Sequence, residues 1–136
     1  MSALTLASVP NQADESVDVA VPEFGIGEDG EALVVHVRPM TVSTYSLLNT
    51  LAATVRLNRT TNEWEPTEAH DASAVIAAIC SYDDKDNLVF GTDYADAVKR
   101  VEGLHARYRP AILRIANAVV EISKADGAPI EEAKKN

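Results

Sequence analysis

A single cysteine and three histidines are the candidates for thiol-based nucleophilic chemistry in this chain of 136 residues. A thiol nucleophile needs a base within hydrogen-bond reach and a third group that orients the base. His70 precedes Cys80 by almost three helical turns, so the two cannot meet within one helix. His36 and His105 fall in other predicted elements. Cys80 also lies on the apolar side of its predicted helix, where a small buried thiol is common. We therefore predict no catalytic residue.

Residues 83–87 form an acidic segment that invites comparison with a calcium loop. An EF-hand loop needs an oxygen ligand at its third position and a glycine at its sixth. A loop that starts at Asp83 has Lys85 and Leu88 at those positions, so the spacing fails twice. We predict a solvated acidic turn without a metal ion, in which Asn87 takes the left-handed conformation.

Three glycines within residues 25–30 could be taken for a phosphate-binding loop. Such a loop opens a helix, whose N-terminus binds the anion, and it usually carries a lysine. Here no helical pattern follows directly, and Glu28 and Asp29 would repel a phosphate. We therefore predict the loop of a β-hairpin, and we expect no cofactor.

Hydrophobic periodicity defines the elements that must position these side chains. Residues 17–21 and 33–38 alternate between apolar and polar side chains, which predicts two strands joined as a β-hairpin. Helical periodicity then predicts helices from the Thr41 cap to about Leu57, from the Thr67 cap to Cys80, from Thr92 or Asp93 to Gly103, and from Tyr108 or Arg109 to Ile122. The predicted buried stripes are Tyr45, Leu48, Leu51, Ala52 and Val55; Ala72, Val75, Ile76, Ile79 and Cys80; Tyr94, Ala97, Val98 and Val101; and Ile112, Ile115, Ala116, Val119 and Val120.

The predicted fold class is α+β and helix-dominant, with an N-terminal β-hairpin followed by a four-helix domain. We place this single domain at residues 17–124, because the length fits one core and no repeat or linker divides it. Residues 1–16 lack periodicity and predict a flexible N-terminal arm. Residues 125–136 are small and charged and predict a flexible C-terminal tail. Residues 58–66 are polar and predict a loop between the first two helices.

The charge balance restricts the partners. Twelve Lys and Arg residues against 21 Asp and Glu residues give a formal net charge of −9. Such a field repels nucleic acid and anionic membranes, so a basic, apolar or amphipathic partner is favoured. We see neither a signal-peptide pattern nor an apolar run of membrane-spanning length. We therefore expect a soluble protein of a reducing cytoplasm.

Several apolar residues are candidates for a partner-binding surface rather than for the core. Trp64 stands in the predicted polar loop, where it either folds back over the helices or serves as an exposed anchor. The others lie off the predicted stripes and make either a wider core or an exposed groove for an amphipathic helix. The candidate partner-binding residues are Trp64, Leu47, Leu57, Leu113 and Ile122; Val42 also lies off the stripes.

Three segments resemble the tail assembly chaperones of long-tailed bacteriophages. Residues 19–25 (VAVPEFG) and 34–41 (VVHVRPMT) resemble the strand end, second strand and helix cap with which that family opens. Residues 78–90 (AICSYDDKDNLVF) resemble its middle segment, and residues 112–122 occupy the place of its last helix. The resemblance covers roughly residues 17–124. Departures are Phe24 in place of the usual tryptophan, a longer hairpin loop, and Asn87 in place of glycine.

The resemblance implies a non-enzymatic protein of phage assembly. It would bind the tape measure protein, keep that long helical protein soluble and help to recruit tail tube subunits around it. It would work in the host cytoplasm and be absent from the mature virion. The resemblance also implies possible self-association, or a longer form made by ribosomal frameshifting, for which codons of Lys134 and Lys135 would suit a slippery adenine run. The alternatives are a structural tail or adaptor component of the virion, and a small host-directed binding protein.

Overall fold

The computed structural model describes residues 2–9, 11 and 15–124. About 45% of the structure is helix and about 18% is strand, so the fold is α+β with helix dominant, as predicted. The elements in chain order are β1 (Val17–Ala20), β2 (Val34–Val37), α1 (Val42–Ala52), β3 (Val55–Asn58), β4 (Glu63–Pro66), α2 (Ala72–Cys80), β5 (Ser81–Tyr82), α3 (Tyr94–Glu102) and α4 (Arg109–Ser123). The predicted C-terminal tail, residues 125–136, lies outside the described residues.

Helix α2 is the centre of the fold. Every side chain from residue 74 to residue 80 is buried, and α1, α3 and α4 all pack against this helix. A helix that is apolar all round belongs in the interior, so the predicted single stripe was too narrow, and its first member, Ala72, is exposed. The helix begins at Asp71, whose Oδ1 accepts a hydrogen bond from the Ala74 N–H at 3.0 Å. The predicted Thr67 cap is wrong, because the Thr67 hydroxyl donates to the Ala53 carbonyl instead.

The predicted β1–β2 hairpin is confirmed, and it is part of a three-stranded antiparallel sheet in the order β1-β2-β5. The short strand β5 was not predicted, because two residues are too few to show the alternating pattern of a strand. Along β1 and β2 the buried side chains are Val19, Val35 and Val37. This face packs on α4, and the Arg114 guanidinium of α4 binds the Glu23 carboxylate with two hydrogen bonds of 2.9 Å.

Helix α1 ends at Ala52, so the predicted extension to Leu57 is wrong. The chain instead forms a second hairpin, β3–β4, in which the predicted loop contributes one strand. The turn is held by Asn58, whose side-chain oxygen accepts from the N–H groups of Thr60 and Thr61. Two residues of the predicted α1 stripe, Tyr45 and Val55, are about half exposed, and Val55 belongs to β3 rather than to α1.

The last two helices follow local signals and are confirmed. The Asp93 carboxylate caps α3 by accepting from the Asp96 N–H at 2.8 Å, and Gly103 ends it. Pro110 stands in the first turn of α4, where its missing N–H costs nothing. Most of both predicted stripes is buried, whereas Tyr94 and Val120 are partly exposed.

The segment of residues 83–87 is an exposed acidic turn, as predicted. Its geometry differs from the prediction in one residue: Asp86, with φ of 64°, takes the left-handed conformation instead of Asn87. The Asp83 carboxylate explains the difference, because its Oδ1 accepts from the N–H groups of Lys85 and Asn87 and so closes the turn one residue earlier.

Candidate partner-binding surfaces

Cys80 is buried, as predicted, and burial raises the pKa of its thiol to about 12. Within the described part of the chain, no histidine is hydrogen-bonded to it. His70 instead binds Glu102 at 2.7 Å, and His36 lies on the outer face of the sheet between two carboxylates. No group of three or more His, Cys, Asp or Glu side chains in residues 2–9, 11 and 15–124 is placed to hold a metal ion.

A groove of about 820 Å³ lies between α1 and α3. We call it the α1–α3 groove. Leu47 and Leu51 of α1 line one wall, and Tyr94 and Val98 of α3 line the other. Each pair is separated by one helical turn, so the two apolar side chains of a pair lie one above the other. Because α1 and α3 both pack on α2, the core fixes the separation of the walls.

The rim of the α1–α3 groove carries both signs of charge. His70 Nδ1 and Glu102 Oε1 are 2.7 Å apart at one end, and Lys99 lies on the same rim. The backbone positions His70, since its N–H donates to the Leu51 carbonyl at 2.9 Å. An apolar floor with a sparse, mixed-charge rim favours an amphipathic occupant over a highly charged one.

The β3–β4 hairpin presents a second apolar surface. Side chains alternate across a strand, so the register of Val55 with Pro66 and of Leu57 with Trp64 places these four residues on one face, which we call the Trp64 face. Trp64 is 70% exposed, and Val55 and Leu57 are also exposed. The interpretation that Trp64 folds back over the helices is therefore wrong, and its indole is open to solvent.

The opposite side of this hairpin is polar. Arg56 Nε lies 3.4 Å from Glu65 Oε1, and Asn58 donates to the other oxygen of the same carboxylate at 3.2 Å. The hairpin joins the body where Thr67 binds the backbone of Thr54 and Ala53. The same segment supplies His70 to the α1–α3 groove, so the two surfaces are neighbours in the chain.

The candidate residues from the sequence are thus distributed over three places. Leu57 and Trp64 form a cross-strand pair on the Trp64 face, and Leu47 lines the α1–α3 groove while also packing against the core. Leu113 and Ile122 lie on α4, where Ile122 packs against the core. The sequence missed Tyr94 and Val98 as groove residues because their helical spacing resembles that of any core stripe. It missed the Trp64 face because Val55 also fitted a helical pattern.

A charged cluster, the His36 cluster, fastens the acidic turn to the sheet. The two ring nitrogens of His36 bind Asp84 of the turn and Asp18 of β1. Both hydrogen bonds favour the protonated imidazole and raise the pKa of His36, with that to Asp84 the larger cause. Beside it, Arg38 binds Asp86 and stacks 3.9 Å from the centre of the Tyr82 ring.

Comparison with models of known protein families found no match, and comparisons with curated proteins and with solved structures found none either. No helix formed by the described residues has the length and apolar character needed to cross a membrane.

Proposed function

We propose that this protein is a bacteriophage tail assembly chaperone. It binds amphipathic helical segments of the tape measure protein, keeps that protein soluble and helps to recruit tail tube subunits during assembly of the tail. The observation that carries this proposal is the α1–α3 groove, whose two walls are apolar and face each other along two helices.

A groove of this kind suits a helix. An amphipathic helix places apolar side chains at intervals of three and four residues along one side, and helix-binding grooves take these side chains as anchors. The pairs Leu47–Leu51 and Tyr94–Val98 have the same spacing as those anchors. Walls of aliphatic and aromatic side chains impose little sequence preference, which a chaperone of a long, variable helical protein requires.

The Trp64 face supplies a second contact. Exposed tryptophans are frequent anchors of protein–protein interfaces because they bury a large apolar area at low entropic cost. A two-stranded hairpin is marginally stable in water on its own. A partner that covers the apolar face of the β3–β4 hairpin would therefore stabilise it. The face and the groove are connected through the segment of residues 52–70, so one bound partner could contact both.

The charge of the chain supports the same function. A net charge of −9 gives a coated apolar helix an anionic, soluble shell.

The chaperone acts in the host cytoplasm and leaves before the virion matures. It works as a homo-oligomer or together with a longer form made by frameshifting at the codons of Lys134 and Lys135, and the nucleotide sequence at those codons tests the latter.

Co-expression with the tape measure protein of the same genome tests the function. We expect the wild-type chain to increase the soluble fraction of the tape measure protein. Leu47→Lys and Trp64→Ala should reduce this effect, while the matched control Val42→Lys should not, because Val42 is 89% exposed on the side of α1 away from the groove. Equal solubilisation by all variants would contradict the proposal. Stoichiometric copies of this chain in purified virions would instead indicate a structural tail or adaptor component.

A further inference from the structure

On the side of β2 away from β1, no strand formed by the described residues pairs with Val34 or Val35, which leaves an empty position in the three-stranded sheet. Strand β5 pairs with β2 only at His36 and Val37, because the chain turns away after Tyr82. Strand β2 and the loop before it continue past this point towards Ala32. The result is a groove of about 670 Å³ between the Ala32–Val34 edge and the residues Asp83, Asp84, Val89 and Phe90. We call this groove the β2 slot.

The backbone at this edge is directed into the β2 slot. On the other side of the strand, the Val21 N–H donates to the Leu33 carbonyl at 2.7 Å, and the Leu33 N–H donates to the Gly25 carbonyl at 3.1 Å. Hydrogen-bonding directions alternate along a strand, so the peptide groups of Ala32 and Val34 point the opposite way, towards the side that β5 occupies next to His36. A strand edge of this kind is a template for another extended chain.

The floor of the β2 slot is apolar. Val21, Val35, Phe24 and Phe90 line it. The two phenylalanine rings are held in place, since their centroids are 5.9 Å apart and Tyr108 stacks on Phe24 at 4.7 Å. A strand added beside Val34 would direct every second side chain into this floor, so its inward side chains should be apolar.

The rim of the β2 slot is acidic. Glu28 and Asp29 of the hairpin loop line one side, and Asp83 and Asp84 of the acidic turn line the other, whereas no Lys or Arg is among the lining residues. Backbone N–H groups of Asn87 and Lys85 lower the pKa of Asp83, so this carboxylate stays ionised at neutral pH. The imidazole of His36, the one basic side chain among the described residues that line the slot, is already bound by Asp84 and Asp18.

We propose that the β2 slot binds an extended segment of a partner protein in which basic and apolar residues alternate. The segment adds to the sheet as a strand beside Ala32 and Val34, places its apolar side chains on the Phe24–Phe90 floor and its lysines or arginines against the acidic rim. This site is separate from the α1–α3 groove and the Trp64 face, and it does not depend on the proposed chaperone function.

Fluorescence anisotropy with labelled peptides tests the proposal on the full chain. The probe is an alternating lysine–valine peptide roughly six residues long, an ordinary strand length. We expect saturable binding of this probe and none of an alternating glutamate–valine peptide. Glu28→Lys should weaken binding roughly fivefold, as expected for one rim charge pair. The control Glu121→Lys makes the same charge change at an exposed position on α4 and should bind more tightly than Glu28→Lys.

A backbone variant separates strand addition from charge attraction. Val34→Pro removes the N–H that faces the slot and leaves the β1–β2 ladder, so it should weaken binding roughly tenfold while circular dichroism stays unchanged. In the wild-type chain, the Val34 amide should exchange more slowly when the peptide is bound. Trp64→Ala should bind the peptide normally.

Three results would overturn the proposal. The first is equal binding of the lysine–valine and glutamate–valine peptides. The second is a pair of findings: Glu28→Lys binds the lysine–valine peptide as tightly as Glu121→Lys does, and the exchange rate of the Val34 amide in the wild-type chain does not change when the peptide is bound. The third is a dimer of this chain that the peptide dissociates, because that would assign the β2 slot to a second copy.

Discussion

Trp64 lies directly opposite Leu57 across the β3–β4 ladder, and both side chains are exposed. The pairing is set by register, since a slip of one strand by one residue would place Trp64 opposite Arg56 or Asn58 and bring polar side chains onto this face. In the three-stranded sheet the same alternation turns apolar residues into the core. In the second hairpin it turns them to solvent, so the Trp64 face does not pack against the described body of the protein.

Trp64→Ala should leave the free energy of unfolding within about 0.5 kcal/mol of the wild-type value, because the indole is 70% exposed. Ile115→Ala, at a fully buried position of α4, should cost roughly 2–5 kcal/mol through lost burial and the cavity left behind. Urea unfolding curves of the two variants measure both. A loss of more than about 2 kcal/mol in Trp64→Ala would mean that the indole packs on the body.

Gly91→Ala should destabilise the fold by roughly 1–3 kcal/mol, as overpacking usually does. A Cβ at residue 91 would lie 2.4 Å from the Ala97 nitrogen and 2.7 Å from its Cα, and backbone in a capped helix cannot yield cheaply. Gly103→Ala is the matched control, since its Cβ would be 3.4 Å from the nearest atom and its φ of −83° suits any residue. Equal midpoints of thermal unfolding for the two variants would contradict the close approach.

The His36 cluster predicts a pH dependence of stability. The pKa of His36 is raised in the folded chain above the ordinary value of about 6.5. Its protonated form is therefore bound more strongly in the folded state, and the resulting stabilisation is complete below about pH 6.5 and is lost as pH rises through the folded pKa. Wild type should lose stability over that range relative to His36→Gln. Urea unfolding at each pH measures the free energy of unfolding of both proteins. If the difference between wild type and His36→Gln does not change with pH, the His36 cluster does not couple to folding.

Cys80 should resist alkylation in the native protein. Burial raises the pKa of its thiol to about 12, so very little reactive thiolate is present at neutral pH. Mass spectrometry after a pulse of iodoacetamide should find the native chain unmodified and the urea-unfolded chain fully modified. Rapid labelling of the native chain would indicate an accessible thiol and would reopen the question of catalysis at this residue.

Elements with strong local signals could be predicted from the sequence. The β1–β2 hairpin has alternating valines, α2 has a dense apolar run, and Asp93, Gly103 and Pro110 are chemically suited to the helix ends at which they stand. In each case the local preference and the tertiary packing agree, so nothing distant was needed to place the element.

The errors fall where a distant contact decided between two local options. Thr67 and Asp71 can both cap a helix, but the Thr67 hydroxyl binds the Ala53 carbonyl, which leaves the cap to Asp71. Val55 fits a helical stripe as well as a strand, and pairing with Pro66 makes it a strand. The α1–α3 groove was equally hidden, because sequence periodicity does not reveal whether another element covers an apolar stripe.

The most direct test of the account is a titration of this chain with labelled helical fragments of the tape measure protein, followed by anisotropy. We predict saturable binding to at least one fragment, weakened roughly tenfold by Leu47→Lys, because a charge would then face the apolar walls of the α1–α3 groove. Val42→Lys should bind as the wild type does. Absence of binding to every fragment, or binding that Leu47→Lys leaves unchanged, would contradict the proposed function.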